Sequence, residues 1–120
     1  MLKGLVNSRG EPVVHITLIY TKDRAGFFPA VIDTGFNGTL SLPDPLIRRL
    51  GLRWIGHESY EIAAGDVVWE KVFVGRIRWF GRIQEVDVLA SHAKDILIGT
   101  RLLEDHRLII DFRKRHVRIY

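Results

Sequence analysis

Asp33, Thr34 and Gly35 place a carboxylate, a hydroxyl and a residue without a side chain in immediate succession. A carboxyl group is the simplest general acid or base a chain can offer to a water molecule. The apolar run Phe27-Phe28-Pro29-Ala30-Val31-Ile32 leads directly into Asp33, and Thr39-Leu40-Ser41-Leu42-Pro43 follows across Asn37-Gly38. A carboxylate at the end of a buried strand is costly to desolvate unless it is paired or hydrogen-bonded. Such a position has a structural or a catalytic reason. The structural alternative is an aspartate capping a strand–loop–strand turn, for which Thr34 and Gly35 are equally suited. The setting of the triad favours catalysis.

The elements around it read mainly as strands, because apolar residues recur with a period of two. Residues 13–20 form one strand, 21–26 its polar connection, and 27–32 the strand that ends at Asp33. Residues 39–42 form the next, entered through the tight-turn pair Asn37-Gly38. Asp44 is expected to cap a helix of about two turns with Pro45 in its first turn, Leu46, Ile47 and Leu50 on one face, and Gly51 as its stop. Strands at 58–63 and 67–72 flank Ala64-Gly65-Asp66, and strands at 73–79 and 83–90 flank Phe80-Gly81-Arg82. Ile96-Leu97-Ile98-Gly99 is a short buried run closed by glycine. Residues 100–105 suggest a helical turn beginning with a Thr cap, and 108–112 with 116–120 make a last hairpin. The expectation is one all-β domain over residues 1–120, a closed barrel of about seven to nine strands with one or two short helices.

Composition narrows the function classes. At 120 residues, 47% hydrophobic and 27% charged, the chain can bury a core of its own. It has no cysteine, so disulfide and thiolate chemistry are excluded. Residues 1–7 lack the long apolar segment of a secretory leader and no stretch reaches the ~20 apolar residues of a membrane span, which together fit a cytoplasmic location without a membrane partner. The five histidines are dispersed without metal-ligand spacing, and neither a P-loop nor G-x-S-x-G occurs, so neither a metal nor a cofactor is expected. The net charge of +4 lies partly in Arg113-Lys114-Arg115 and Arg118. A solvated hairpin turn explains that cluster better than a nucleic-acid partner, since no nucleic-acid motif accompanies it. Trp54 and Trp79 read as core or sheet-surface residues, and Trp69 as core or interface packing in preference to a cover for the cleft.

The segments Ala30-Val31-Ile32-Asp33-Thr34-Gly35-Phe36-Asn37-Gly38, Leu42-Pro43, Ile96-Leu97-Ile98-Gly99-Thr100-Arg101-Leu102-Leu103 and Leu108-Ile109-Ile110-Asp111-Phe112 together resemble the retropepsin-like aspartic proteases. Phe36 after the triad is similar to the small cellular branch of that group. The resemblance implies that Asp33 is the catalytic carboxylate and that Thr34 hydrogen-bonds to the partner's equivalent loop across a two-fold axis. It implies that Gly35 lets the backbone turn and brings its N–H near the carboxylate. Phe36, Asn37 and Ile98 would contact substrate, and Ala64, Gly65 and Asp66 would form the tip of a flap closing over a bound peptide. The segment at Ile98-Gly99 would pack beneath the catalytic loop. Viral members usually carry a small residue and then acidic residues where this chain has Phe36, Asn37 and Gly38, so the viral mode of holding the substrate backbone does not carry over.

Peptide hydrolysis of this kind needs two carboxyl groups about 3 Å apart that share one proton. One Asp-Thr-Gly per chain therefore implies a homodimer, in which a two-fold axis supplies the second carboxyl. The C-terminal strand, residues 116–120, is a plausible interface element. The expected activity is that of an aspartic endopeptidase acting on peptide or protein substrates. The alternatives are a non-catalytic dimeric peptide- or protein-binding module of the same fold and an anion- or nucleic-acid-binding barrel that uses the basic C-terminal hairpin.

Overall fold

The computed structural model describes residues 1–20 and 24–120; Thr21, Lys22 and Asp23, read above as part of a polar connection, lie outside the described residues. The strands are β1 (Leu2–Val6), β2 (Pro12–Ile19), β3 (Ala25–Ile32), β4 (Leu40–Pro43), β5 (Arg53–Glu61), β6 (Val67–Trp79), β7 (Arg82–Ser91), β8 (Ile96–Ile98), β9 (Leu108–Asp111) and β10 (His116–Ile119). Two short helices, α1 (Asp44–Leu50) and α2 (Thr100–Leu103), follow β4 and β8.

Six of the strands close into a ring. They run in the order β6, β7, β4, β8, β3, β2, and β2 returns to β6 through Thr17 opposite Arg78 and Leu18 opposite Ile77. Closure removes free sheet edges from this part of the molecule. The alternation read from the sequence sets which side chains enter the ring: Val14, Ile16 and Leu18 of β2, Ala30 and Ile32 of β3, and Leu40 and Leu42 of β4 are all buried. They meet Ile77, Val88, Ala90 and Ile98 from β6, β7 and β8, with Leu46, Ile47 and Leu50 of α1 in the same core.

β6 is one continuous strand of thirteen residues. Its first part pairs with β5 from Val67 to Val74 and its second with β7 from Val72 to Trp79. The sequence divides it into two strands because each half belongs to a different hairpin. The turn at Phe80 and Gly81 has φ of 50° and 78°, the signature of a tight primed hairpin turn.

Helix α1 ends as expected, with Gly51 in the left-handed region and its N–H shared between the carbonyls of Ile47 and Arg48. Its start differs. Pro43 holds the cap position and no side chain caps the helix, so Asp44 is its first residue and favours it through charge alone. Likewise Gly99, rather than Thr100, precedes α2.

The C-terminal strand forms the expected last hairpin with β9 and pairs with β1 on its other side. β10 lies between β1 and β9, its backbone paired on both sides, and the edge strands are β5 and β9. The basic turn beside it is partly structural: the Arg115 guanidinium donates to the carbonyls of Val6 (3.0 Å) and Asn7 (2.6 Å), tying the turn to the end of β1. Among the described residues no helix is long and apolar enough to cross a membrane.

Candidate active site

Asp33 is the first residue after β3, and β3 lies between β2 and β8. Its backbone is fixed before its side chain is considered. The Asp33 N–H donates to the Ile98 carbonyl at 2.9 Å, continuing the parallel pairing of Ile32 with Ile98. The Phe36 N–H donates back to the Asp33 carbonyl at 3.1 Å, closing the turn. The Gly35 N–H then donates to Asp33 Oδ1 at 2.9 Å, orienting the carboxylate. Gly35 does this without a left-handed backbone; the constraint there is space, since a Cβ at residue 35 would lie 3.2 Å from Asp33 Oδ1.

The segment from Gly99 to Arg101 braces the loop from below. Gly99 N–H donates to Thr39 O (3.0 Å), Thr100 N–H to Phe36 O (2.8 Å) and Arg101 N–H to Gly38 O (3.1 Å). A Cβ on Gly99 would collide with the Gly38 carbonyl and come within 2.8 Å of the Phe36 ring, so this contact requires glycine. Phe36 also covers Gly38, where a Cβ would lie 2.6 Å from the ring. Phe36 is thereby half-buried, a lid on two glycines as well as part of a cleft wall.

That cleft has a volume of about 840 Å³. Asp33, Gly35, Phe36 and Asn37 lie along its floor, with Leu40 and Ser41 of β4 and Leu97 of β8. Glu58, Tyr60 and Glu61 of β5 and Glu70 and Val72 of β6 form one wall, and Asp87, Leu89 and the end of β7 another. Arg101 borders it from α2. His92 Nδ1 stands 3.0 Å from Asp44 Oδ2 at the rim, linking the end of β7 to the start of α1.

The sequence-derived site residues fall into three groups. Asp33, Gly35, Phe36 and Asn37 all line the cleft, and Thr34 is exposed beside it. Ala64, Gly65 and Asp66 form the expected hairpin end, where Ile62 N–H donates to Asp66 O at 2.9 Å and Gly65 N–H to Ile62 O at 3.2 Å. Ala64 and Gly65 both have positive φ (77° and 82°), and these three exposed residues do not line the cleft of the single chain. Ile98 corrects the expectation of substrate contact: its side chain is 0% exposed, and it serves the loop through its carbonyl. The neighbouring Leu97 reaches the cleft instead, because successive side chains of a strand face opposite ways.

Glu58, Tyr60, Glu70 and Asp87 were missed by sequence reasoning. The i, i+2 spacing of Glu58 and Tyr60 places them on one face of β5, but only strand register joins that face to Glu70 and Asp87. Trp79 is buried and Trp54 lies on the sheet surface. Trp69, 65% exposed, lies outside the core and outside the cleft lining.

The fold is shared with solved protease structures. The EIAV protease bound to the inhibitor HBY-793 superposes with a TM-score of 0.62 at 20% identity, over 82% of this chain and 90% of that one. The Simian Foamy Virus (mac) protease gives 0.52 at 19% identity, over 74% and 90%. The foamy viral protease-reverse transcriptase in complex with an RNA/DNA hybrid gives 0.54 at 15% identity, over 79% of this chain and 12% of that one. No protein-family model matches the chain, and no curated protein matches it in sequence. At these identities the likeness is one of architecture: the chain has the all-β, retropepsin-like fold.

Proposed function

We propose that this chain is an aspartic endopeptidase of the small cellular retropepsin-like branch, a single domain over residues 1–120 that works as a homodimer and needs no cofactor. One observation carries the reading: the Asp33 carboxylate, oriented by the Gly35 N–H, opens onto a cleft walled by a long β-hairpin. Each subunit contributes one Asp33 to a pair that holds a single proton. The ionised carboxyl takes a proton from water, and the resulting hydroxide equivalent attacks the amide carbon. The protonated carboxyl hydrogen-bonds the carbonyl oxygen; a proton then passes to the leaving nitrogen as the C–N bond breaks. Thr34 ties the two loops across the two-fold axis, Phe36 and Asn37 meet the substrate beside the scissile bond, and the hairpin end at Ala64-Gly65-Asp66 closes over it.

Asp33→Asn is the direct test, with a diverse peptide library as substrate. The variant is expected to abolish cleavage while its unfolding free energy stays within about 1 kcal/mol of the parent. Cleavage by the parent is expected to peak at acidic to near-neutral pH, because one carboxyl of the pair must remain protonated. Undiminished hydrolysis by Asp33→Asn, or a rate still climbing above about pH 8, contradicts the mechanism. Peptide binding without hydrolysis by the parent assigns the chain to the non-catalytic alternative.

A further inference from the structure

We infer that the cleft selects cationic peptides, with Lys or Arg side chains of the bound segment placed against Glu58 and Glu70; this deepens the proposed function and rests on the cleft being the peptide site. Glu58 and Glu70 are direct cross-strand partners on β5 and β6, and both line the cleft. Like charges placed opposite each other in an antiparallel pair destabilise the hairpin that carries them. Asp87 adds another carboxylate to the same lining, which also includes Asp33. Glu58, Glu61, Glu70 and Asp87 have no ion pair or side-chain hydrogen bond among the described residues. Arg101 is the arginine on that surface, and His92 there contacts Asp44.

This negative wall runs against the charge of the whole chain, which is +4. Among the described residues no group of three or more acidic or histidine side chains converges as a metal site needs, so the negative charge is spread along the cleft. A spread of carboxylates matches an extended chain with several cationic side chains better than one small ion. A second polar group points the same way. Ser41, 4% exposed on the cleft floor, makes no side-chain hydrogen bond among the described residues and is available to a bound backbone. Carboxylates within a cleft both attract a cationic partner and reject an acidic one.

The test uses fluorescein-labelled extended peptides with Lys at alternate positions, beside counterparts carrying Gln or Glu there. Binding is measured on Asp33→Asn and cleavage on the parent, so recognition and hydrolysis are read separately. The Lys peptide is expected to bind on the order of tenfold more tightly than the Gln peptide, with the Glu peptide weakest and the preference shrinking as NaCl rises. Adding Glu58→Gln and Glu70→Gln should bring the Lys-to-Gln ratio towards one, while raising the melting temperature by relieving the opposed charges. Glu85→Gln, which removes a carboxylate of β7 outside the cleft lining, should leave the ratio unchanged. Equal binding of Lys and Gln peptides, or a ratio indifferent to the double substitution, overturns the inference and leaves the hydrolase reading standing. Selective binding of the Lys peptide without hydrolysis of any peptide by the parent upholds the inference and overturns the hydrolase reading.

Discussion

Gly99 is a residue where a single added methyl group does great harm, because the backbone atom it would strike cannot step aside. The Gly38 carbonyl in its path accepts the Arg101 N–H, and the Phe36 ring closes the other side. Gly99→Ala is expected to cost about 2 kcal/mol or more of stability, at the upper end of overpacking effects. The loss should register in cleavage as well, since the loop from Asp33 to Gly38 has to shift. Gly35→Ala offers the contrast. Its Cβ would be tight against Asp33 Oδ1 without striking backbone, and its φ is open to alanine. That variant should stay near parental stability and lose activity chiefly. Denaturant unfolding beside peptide turnover separates the two; equal stability losses would show that both glycines merely pack. The same scale explains how Trp79 is seated. Its indole N–H donates to His106 Nε2 at 3.1 Å, which makes Nδ1 the ring's donor to the Tyr120 carbonyl at 3.0 Å.

The hairpin of β9 and β10 carries a titratable lock. The Lys114 N–H donated to Asp111 Oδ1 at 2.9 Å holds the Asp111 carboxyl below the usual carboxylate range, and the nearby His116 and Lys114 charges act in the same direction. A carboxyl lowered by folding stabilises the folded state above its unfolded value, and that contribution vanishes as pH falls through its folded value. Asp111→Ala should therefore lower the melting temperature near neutral pH, and the gap from the parent should narrow below about pH 4. A gap that persists unchanged into strong acid would assign the loss to the turn's shape alone. This hairpin, the Phe80-Gly81 turn and the strand leading into Asp33 were readable from alternation and turn residues because each is local. β1 was not: Leu2–Val6 is short, and Gly4 is there because a Cβ would strike the Val13 carbonyl of the neighbouring strand. The first half of β5 was missed because a register break between Trp54 and Gly56 interrupts its alternation. The carboxylates of the cleft share that limit, being distant in sequence and neighbours only through the registers of β5, β6 and β7.

At the scale of the whole molecule, the proposed chemistry cannot be completed by one chain. Of the aspartates read from the sequence only Asp33 ends an apolar strand and enters a tight glycine turn, and it stands at the open floor of the cleft with Thr34 exposed beside it. The ring of six strands gives that loop a rigid base, while the edges left for association are β5 and β9, the latter carrying the exposed Ile109 and ending beside the exposed Phe112. Unpaired strand edges with exposed apolar side chains are places where chains associate. On this reading specific activity must fall on dilution as dimers dissociate, with the same midpoint as the loss of mass measured by sedimentation or light scattering. Subunit mixing gives the sharper measurement. If dimers assort at random, equal amounts of parent and Asp33→Asn leave about one quarter of dimers with two intact carboxyls, so activity per parent chain should fall to about half. Activity per parent chain that ignores the added variant, under conditions where subunits demonstrably exchange, would mean that each Asp33 works alone and that a shared proton has no part in the reaction.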